Sequence, residues 1–288
     1  MIKWMVSFES TTHSTKNKPS LVYVDKKIKK VMSLERRGGK NKRAKTKNCP
    51  ILKRTNGQPL EMALDVGCGT GRYTLSLAPH FTKVLGLDIS ESQLSVAKDM
   101  TLAKNVSYMV APAEKLPVKD ASVDLVHAGV AAHWFTIDKF LDETMRVLKP
   151  GGCLAAHSYE PVPEFEYNNL SHDLNVVMAE VWDTLFQYVD KSTKDMFCRY
   201  QHLYEAIPLN DKEHITDIPA KIQLSIPEII GFIQAIYLCE QLKEKDMRRA
   251  EKILIQTEKR FREILGEKAD SDCLNMYMKY YCVLACKH

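Results

Sequence analysis

LDVGCGTGRYTLSLA, residues Leu64 to Ala78, decides how the rest of the chain is read. An apolar run leads into three glycines at alternate positions, Gly67, Gly69 and Gly71, and a helix-like pattern follows from about Arg72 to Ala78. That is the order of a buried strand, a tight turn and a helix start. Glycine takes positive φ without strain and lets a ligand approach the backbone. The free amides of a helix start favour an anionic group. A nicotinamide dinucleotide turn needs G-x-G-x-x-G to admit a pyrophosphate. Counted from Gly67, its third glycine would fall at Arg72, so the spacing argues against that ligand.

From Met62 onward, strand and helix patterns alternate. MALDV, KVLGLD, VSYMV, VDLVHAG and CLAAHSY read as strands. Between them SESQLSVAKDM reads as a helix opened by a capping box of Ser90 and Gln93. IDKFLDETMRVL reads as a helix stopped by Pro150-Gly151-Gly152. Such alternation predicts parallel pairing in a doubly wound α/β sheet. After Pro161 the expected elements are a helix in LNVVMAEVWDTLFQYV, a strand in KIQLSI, an amphipathic helix ending at Gly266 and a last strand in YYCVLAC.

Ligands of open α/β sheets bind beyond the carboxyl ends of the strands, and a carboxylate ending the second strand accepts ribose hydroxyls. Asp88 stands there, 21 residues after Gly67. APAEKLP follows the third strand, where an adenine ring would lie, and the small residues of AGVAAHWF would leave room above the sheet edge.

ALDVGCGTG, GLDISESQL, APAEKLP, SVDLVHAGVAAHWF and RVLKPGGCLAAHSY occur in that order. Together they resemble the class I S-adenosylmethionine-dependent methyltransferases of the type 11 kind, and among these the small-molecule enzymes similar to trans-aconitate methyltransferase. The resemblance covers Ala63 to Tyr159. It implies a mostly parallel, seven-stranded Rossmann-like sheet with helices on both faces and a helical C-terminal addition. It also implies roles. Asp65 would orient the amino group of S-adenosylmethionine, and Gly67, Gly69 and Gly71 would pass beneath its methionyl moiety. Asp88 would hold the ribose, Ile89 would pack on the adenine, and Ala113 and Glu114 would line its edge. Ala128 and Gly129 would approach the methionyl part.

His133 and Trp134 fall beside the expected methyl position. His133 is either a general base or substrate hydrogen-bonding group, or a helix-start residue next to a pocket wall formed by Trp134. Tyr159, at the end of the fifth strand, is a further substrate candidate, whereas His157 within that strand reads as packed. Arg199 and Tyr200 are weighed as an acid-binding pair. A sulfonium-borne methyl is already activated, so positioning alone supplies much of the catalysis and no metal is expected. The sequence lacks the Asn/Asp-Pro-Pro-aromatic motif of amide and adenine nitrogen methyltransferases, and no acidic metal ligands fall between Leu125 and Phe135.

The chain has 288 residues and a net charge of +5. Residues 1–60 hold sixteen Lys/Arg and three Asp/Glu, a charge of +13; residues 61–288 carry −8. The expected organisation is a basic, largely disordered segment over 1–58, a cofactor-binding core over 59–160, and over 161–288 the rest of the same domain with a helical substrate region. Arg36 to Lys47 is a like-charge block that should stay solvated. Apolar residues at 21, 24, 28, 31 and 34 mark one helical face that could close over the cofactor as a lid. The basic segment keeps an RNA or protein methyltransferase open as an alternative, and the lack of an evident family-type lid helix keeps open a cofactor-binding protein without activity, but nucleic acid is not the favoured partner. The favoured acceptor is a small-molecule oxygen or nitrogen, carboxylates included. Eight cysteines show no metal spacing, and reduced thiols are expected. The longest apolar stretch, IIGFIQAIYLC, is too short to span a bilayer, and no signal peptide is expected at the start. The cytoplasm is therefore the expected compartment, with the Arg36 to Lys47 run as the feature that would address the chain to the nucleus.

Overall fold

The computed structural model describes residues 60–188 and 198–288. The basic segment over 1–58 lies outside the described residues, and with it the expected disorder of Arg36 to Lys47 and the lid face between residues 20 and 34. The described residues form two compact units: one of residues 60–159, 198–218 and 280–288, the other of 160–188 and 219–279.

The first unit is built on strands β1 (Leu60–Val66), β2 (Phe81–Asp88), β3 (Val106–Val110), β4 (Val123–Gly129), β5 (Leu148–Tyr159) and the second half of β8 (Leu274–Cys286). They lie in the order β3-β2-β1-β4-β5-β8. The first five pair in parallel, and β8 pairs antiparallel to β5. This is the doubly wound, mostly parallel sheet that the strand and helix alternation predicts. Eight strands rather than seven occur among the described residues, the addition being the short Glu164–Glu166.

Alternation along each strand divides two cores between the faces of the sheet. Leu64, Leu85, Val126 and Leu154 face one core with Phe140, Leu141 and Val147 of helix α3 (Ile137–Val147). Ala63, Val84, Leu125 and Ala155 face the other with Leu77 of helix α1 (Arg72–Leu77). Helix α2 (Glu91–Met100) opens as read, but with half of the capping box. Ser90 Oγ accepts from the Gln93 amide at 3.3 Å, while Gln93 Oε1 turns toward the glycine turn instead of back to Ser90. Pro150-Gly151-Gly152 does not stop α3 as expected. The helix ends at Val147 and β5 begins at Leu148, so these residues form the irregular start of the strand. A Cβ on Gly152 would lie 2.9 Å from the Val123 carbonyl, which is why two backbones meet there.

Arg146, near the end of α3, ties the loop after β3 to that helix. Its guanidinium donates to the Leu116 and Val118 carbonyls at 2.9 Å each and to Glu143 at 2.7 Å. The expectation of reduced thiols is corrected at one pair. Cys153 and Cys286 stand opposite each other in the β5–β8 register, their Cα atoms 4.2 Å apart, and are joined by a disulfide. Cys68, Cys198, Cys239, Cys273 and Cys282 are free thiols.

The second unit holds β6 (Glu164–Glu166), which pairs with the first half of β8, and four helices: α4 (Ser171–Leu185), α6 (Ile226–Ala235), α7 (Tyr237–Lys245) and α8 (Met247–Leu265). A capping box of Ser225 and Glu228 opens α6. IIGFIQAIYLC is split between α6 and α7 by Ile236, whose ψ of 143° is not helical. No helix among the described residues is long and apolar enough to cross a membrane. Helix α5 (Gln201–Ala206) belongs to the first unit, as does the start of β7 (Lys212–Leu224).

Tyr73, His127 and His157 form an aromatic layer on the α1 face, with centroids 4.8 to 5.7 Å apart. His157 is 1% exposed and neither ring nitrogen has a partner. Burial, reinforced by the charge His127 would carry, holds its pKa well below the ordinary histidine value. The folded state therefore keeps it neutral, while the unfolded chain takes up a proton below about pH 6.5. Stability from this site is unaffected above that pH and falls below it by up to about 1.4 kcal/mol per pH unit. Urea unfolding at pH 7.0 and 5.5 tests this: His157→Leu should gain stability relative to wild type on acidification, and an unchanged difference between the two proteins refutes it. Arg146→Ala should cost about 1–3 kcal/mol, since its charge-assisted bonds to buried carbonyls are only partly screened. A loss under about 0.5 kcal/mol in the same assay would show the tether to be idle.

Candidate functional site

The glycine turn leaves the end of β1 and enters α1. Gly67 and Gly71 have φ of 69° and 81°, in the left-handed region that favours glycine. Both are also closely approached by other parts of the protein. A Cβ on Gly67 would sit 2.5 Å from the Ala131 Cβ, and one on Gly71 would run into the Tyr108 phenol. The small residues after β4 thus pack onto the turn instead of leaving room: Ala131 and Ala132 are 4% and 0% exposed. The Gly67 and Cys68 amides donate back to the Leu87 carbonyl at 2.7 and 2.9 Å, which fixes the turn against β2. The Cys68 thiol is buried beside Asp65 and Asp88, and burial first, then these carboxylates, pushes its pKa far up. It remains a protonated thiol, without nucleophilic character.

Asp88, half-buried at the end of β2, joins the turn to α2. Its Oδ2 accepts from the Gly69 amide at 2.8 Å and its Oδ1 from the Ser90 amide at 2.9 Å. An ionised carboxylate has about four acceptor positions, so hydroxyl donors still find two. Ile89 beside it is 75% exposed, an apolar side chain offered to solvent next to a polar anchor. Gln93 Oε1 is buried without a partner, at the position where a Cβ on Gly69 would come within 2.9 Å. Reading the sequence assigned Gln93 only to capping. A carboxylate with spare acceptor capacity beside an exposed apolar residue fits an adenosine.

Asp65 departs from its expected role. It is 1% exposed, its Oδ2 accepts from Thr74 Oγ1 at 2.5 Å, and its Oδ1 pairs with His127 Nδ1 at 2.7 Å. The side chain points into the protein between Thr74 of α1 and His127 of β4. Ala128 is likewise 0% exposed, and a Cβ on the buried Gly129 would meet the Tyr73 ring at 2.6 Å. Ala113 is 5% exposed, and Glu114 Oε1 accepts from the Thr136 amide at 2.7 Å, binding the loop after β3 to the start of α3.

Beyond β4, Ala132–Trp134 form one 3-10 turn, entered through Val130 at a φ of 56°. His133 is 7% exposed and its Nδ1 lies 3.0 Å from the Tyr200 hydroxyl. Tyr200 is 2% exposed and packs edge-on to Tyr281 at 5.1 Å. Burial, then Tyr281, pushes its pKa well up. Tyr200 therefore supports His133 and is not half of an acid-binding pair with the exposed Arg199. Trp134 is 49% exposed, and Tyr159 is half-buried at the end of β5 against Tyr280. The sequence reading found no signal for the Asp65–His127 pair or for Tyr280, because their meeting depends on strand order.

Residues 64–156 match the family model described as a methyltransferase domain. A Dictyostelium discoideum protein classed among methyltransferases is 31% identical over 141 residues, 47% of this chain and 52% of that protein. An S-adenosylmethionine-dependent methyltransferase-class protein of Saccharomyces cerevisiae is 31% identical over 144 residues, 48% of each. The chain spans about half the length of these curated relatives. Among solved structures, a type II methyltransferase-class protein from Anaeromyxobacter dehalogenans shares the fold with a TM-score of 0.63 at 23% identity, over 79% of this chain and 91% of that one. The strand order, the glycine turn and the family match agree: residues 64–156 form a methyltransferase domain of the class I, S-adenosylmethionine-dependent kind.

Proposed function

We propose that the chain methylates an oxygen or nitrogen of a small-molecule acceptor by in-line displacement. The observation that carries the reading is Asp88, fixed by the Gly69 and Ser90 amides with acceptor positions to spare beside the exposed Ile89. In this reading Asp88 takes the ribose hydroxyls, Ile89 covers one face of the adenine, and the Ala113–Glu114 loop borders its edge. The backbone of Gly67, Gly69 and Gly71 runs beside the methionyl part. When bound, S-adenosylmethionine supplies a methyl group already activated on a sulfonium. The protein's own task is then to hold the acceptor in line and to exclude water, which is worth roughly 7–11 kcal/mol when well done.

Asp65 acts at one remove, by locking α1 to β4 through Thr74 and His127. His133, buried and engaged by Tyr200, is read as a positioning residue that sets the 3-10 turn. Trp134 on the same turn then walls the acceptor space, and Tyr159 serves as a substrate contact.

Calorimetry on the full chain tests the reading. S-adenosylmethionine and S-adenosylhomocysteine should bind and NAD should not; tighter binding of NAD than of S-adenosylhomocysteine would overturn it. Asp88→Ala should weaken S-adenosylhomocysteine binding by roughly tenfold to a hundredfold, the loss expected for hydrogen bonds to a charged group. An unchanged dissociation constant in a folded variant would leave Asp88 a purely structural carboxylate.

A further inference from the structure

The carboxyl end of β5 carries polar side chains that the cofactor reading leaves unused. Tyr159 closes the strand and stands opposite Tyr280 of β8, with ring centroids 5.6 Å apart. Side chains alternate along a strand, so Tyr159 shares its face with His157, and the opposed Tyr280 and Cys282 share it too. Tyr73 of α1 lies edge-on to His157 at 4.8 Å. Helix α1 thus covers this face through Tyr73, and Arg72, its first residue, directly precedes Tyr73.

Tyr280 is 9% exposed, yet neither its hydroxyl nor that of Tyr159 has a hydrogen-bond partner among the described residues. Neither hydroxyl is sealed from solvent either. Arg72 is exposed and makes no ion pair among the described residues. Burial pushes both phenols upward, while the Arg72 charge draws them down; no carboxylate among the described residues bears on either. The three groups are therefore all donors: two neutral O–H groups and a guanidinium fork that suits carboxylate and phosphate oxygens.

We propose that Arg72, Tyr159 and Tyr280 form an oxyanion-binding subsite that selects a methyl acceptor carrying an anionic oxygen group. The proposal rests on the methyltransferase reading and deepens it by naming the acceptor's class. Two phenols and a cation give an anionic oxygen group charge-assisted hydrogen bonds, whereas a neutral ligand gains only the weaker neutral ones and a cationic ligand is repelled by Arg72. Arg72 follows directly on Gly71, so the glycine turn also sets where the acid is held relative to the cofactor-binding edge.

The test uses the full chain saturated with S-adenosylhomocysteine. Calorimetry is run with aliphatic and aromatic carboxylic acids, the matching phosphate monoesters and the matching neutral amides. Acids or phosphate esters should bind and amides should not; the two anionic arms tell carboxylate from phosphate selection. Arg72→Gln should weaken the bound anion by roughly tenfold or more, and Tyr280→Phe and Tyr159→Phe by roughly threefold to tenfold each. S-adenosylhomocysteine affinity should move by less than about twofold in all three, which also reports that the variants are folded. Amides binding as tightly as acids, no anion binding at all, or an Arg72→Gln protein that binds anions like wild type would each overturn the proposal. A wild-type chain that fails to bind S-adenosylhomocysteine would instead bring down the methyltransferase reading beneath it.

Discussion

The Asp65 carboxylate sets the geometry on which the site depends. A buried charge is costly unless it is paired and hydrogen-bonded. Asp65, 1% exposed, meets that demand with one bond to Thr74 on α1 and one to His127 on β4. The two partners come from opposite sides of the glycine turn, so the turn closes around the carboxylate. Removing either partner would leave one buried carboxylate oxygen without its hydrogen bond. That constraint fixes how α1 leaves the sheet, and hence where Arg72 and Tyr73 stand. His127 in turn packs the layer that includes His157 and Tyr73. A single buried charge thus couples β1, β4 and α1, while His157 carries the coupling on to β5.

Much of this fold was legible because its signals are local. Alternating apolar runs marked seven of the eight strands, and Ser90 marked the start of α2. The short Glu164–Glu166 strand was not legible: three residues with charges at both ends carry no periodicity. Pro150-Gly151-Gly152 was misread for a physical reason. Proline and glycine signal a break, but the close approach of the Val123 carbonyl at Gly152 shows the break to lie inside a strand. The Cys153–Cys286 bond was invisible because it depends on β8 returning beside β5, a pairing across 133 residues.

The candidate site divides in the same way. Asp88 could be placed from its spacing, since the end of a strand is a local feature. Asp65 could not be assigned a direction: the same residue at the end of β1 reads as ligand-facing or inward-facing until His127 is known to stand beside it. The glycines were legible as a turn but not in what approaches them. Gly67 receives Ala131 and Gly71 receives Tyr108, both contacts across the sheet order β3-β2-β1-β4. Tyr280 needed the antiparallel register to be set opposite Tyr159.

The carboxyl edge of the sheet has a chemical polarity that follows from these placements. At β2 the edge presents an acceptor, the Asp88 carboxylate, with the apolar Ile89 beside it. At β5 it presents donors, Arg72 and two phenols kept protonated by burial. A neutral polyol portion is suited to the first end and an anion to the second. For an anionic acceptor, this order also favours transfer itself. An anion and a sulfonium that react to give two neutral groups lose charge on the way, and a site that excludes water disfavours the separated charges more than the product. The donors at β5 must then hold the acid without neutralising the oxygen that reacts. Phenols are well suited to this, because their hydrogen bonds are weaker than a second cation would make and their protons stay in place.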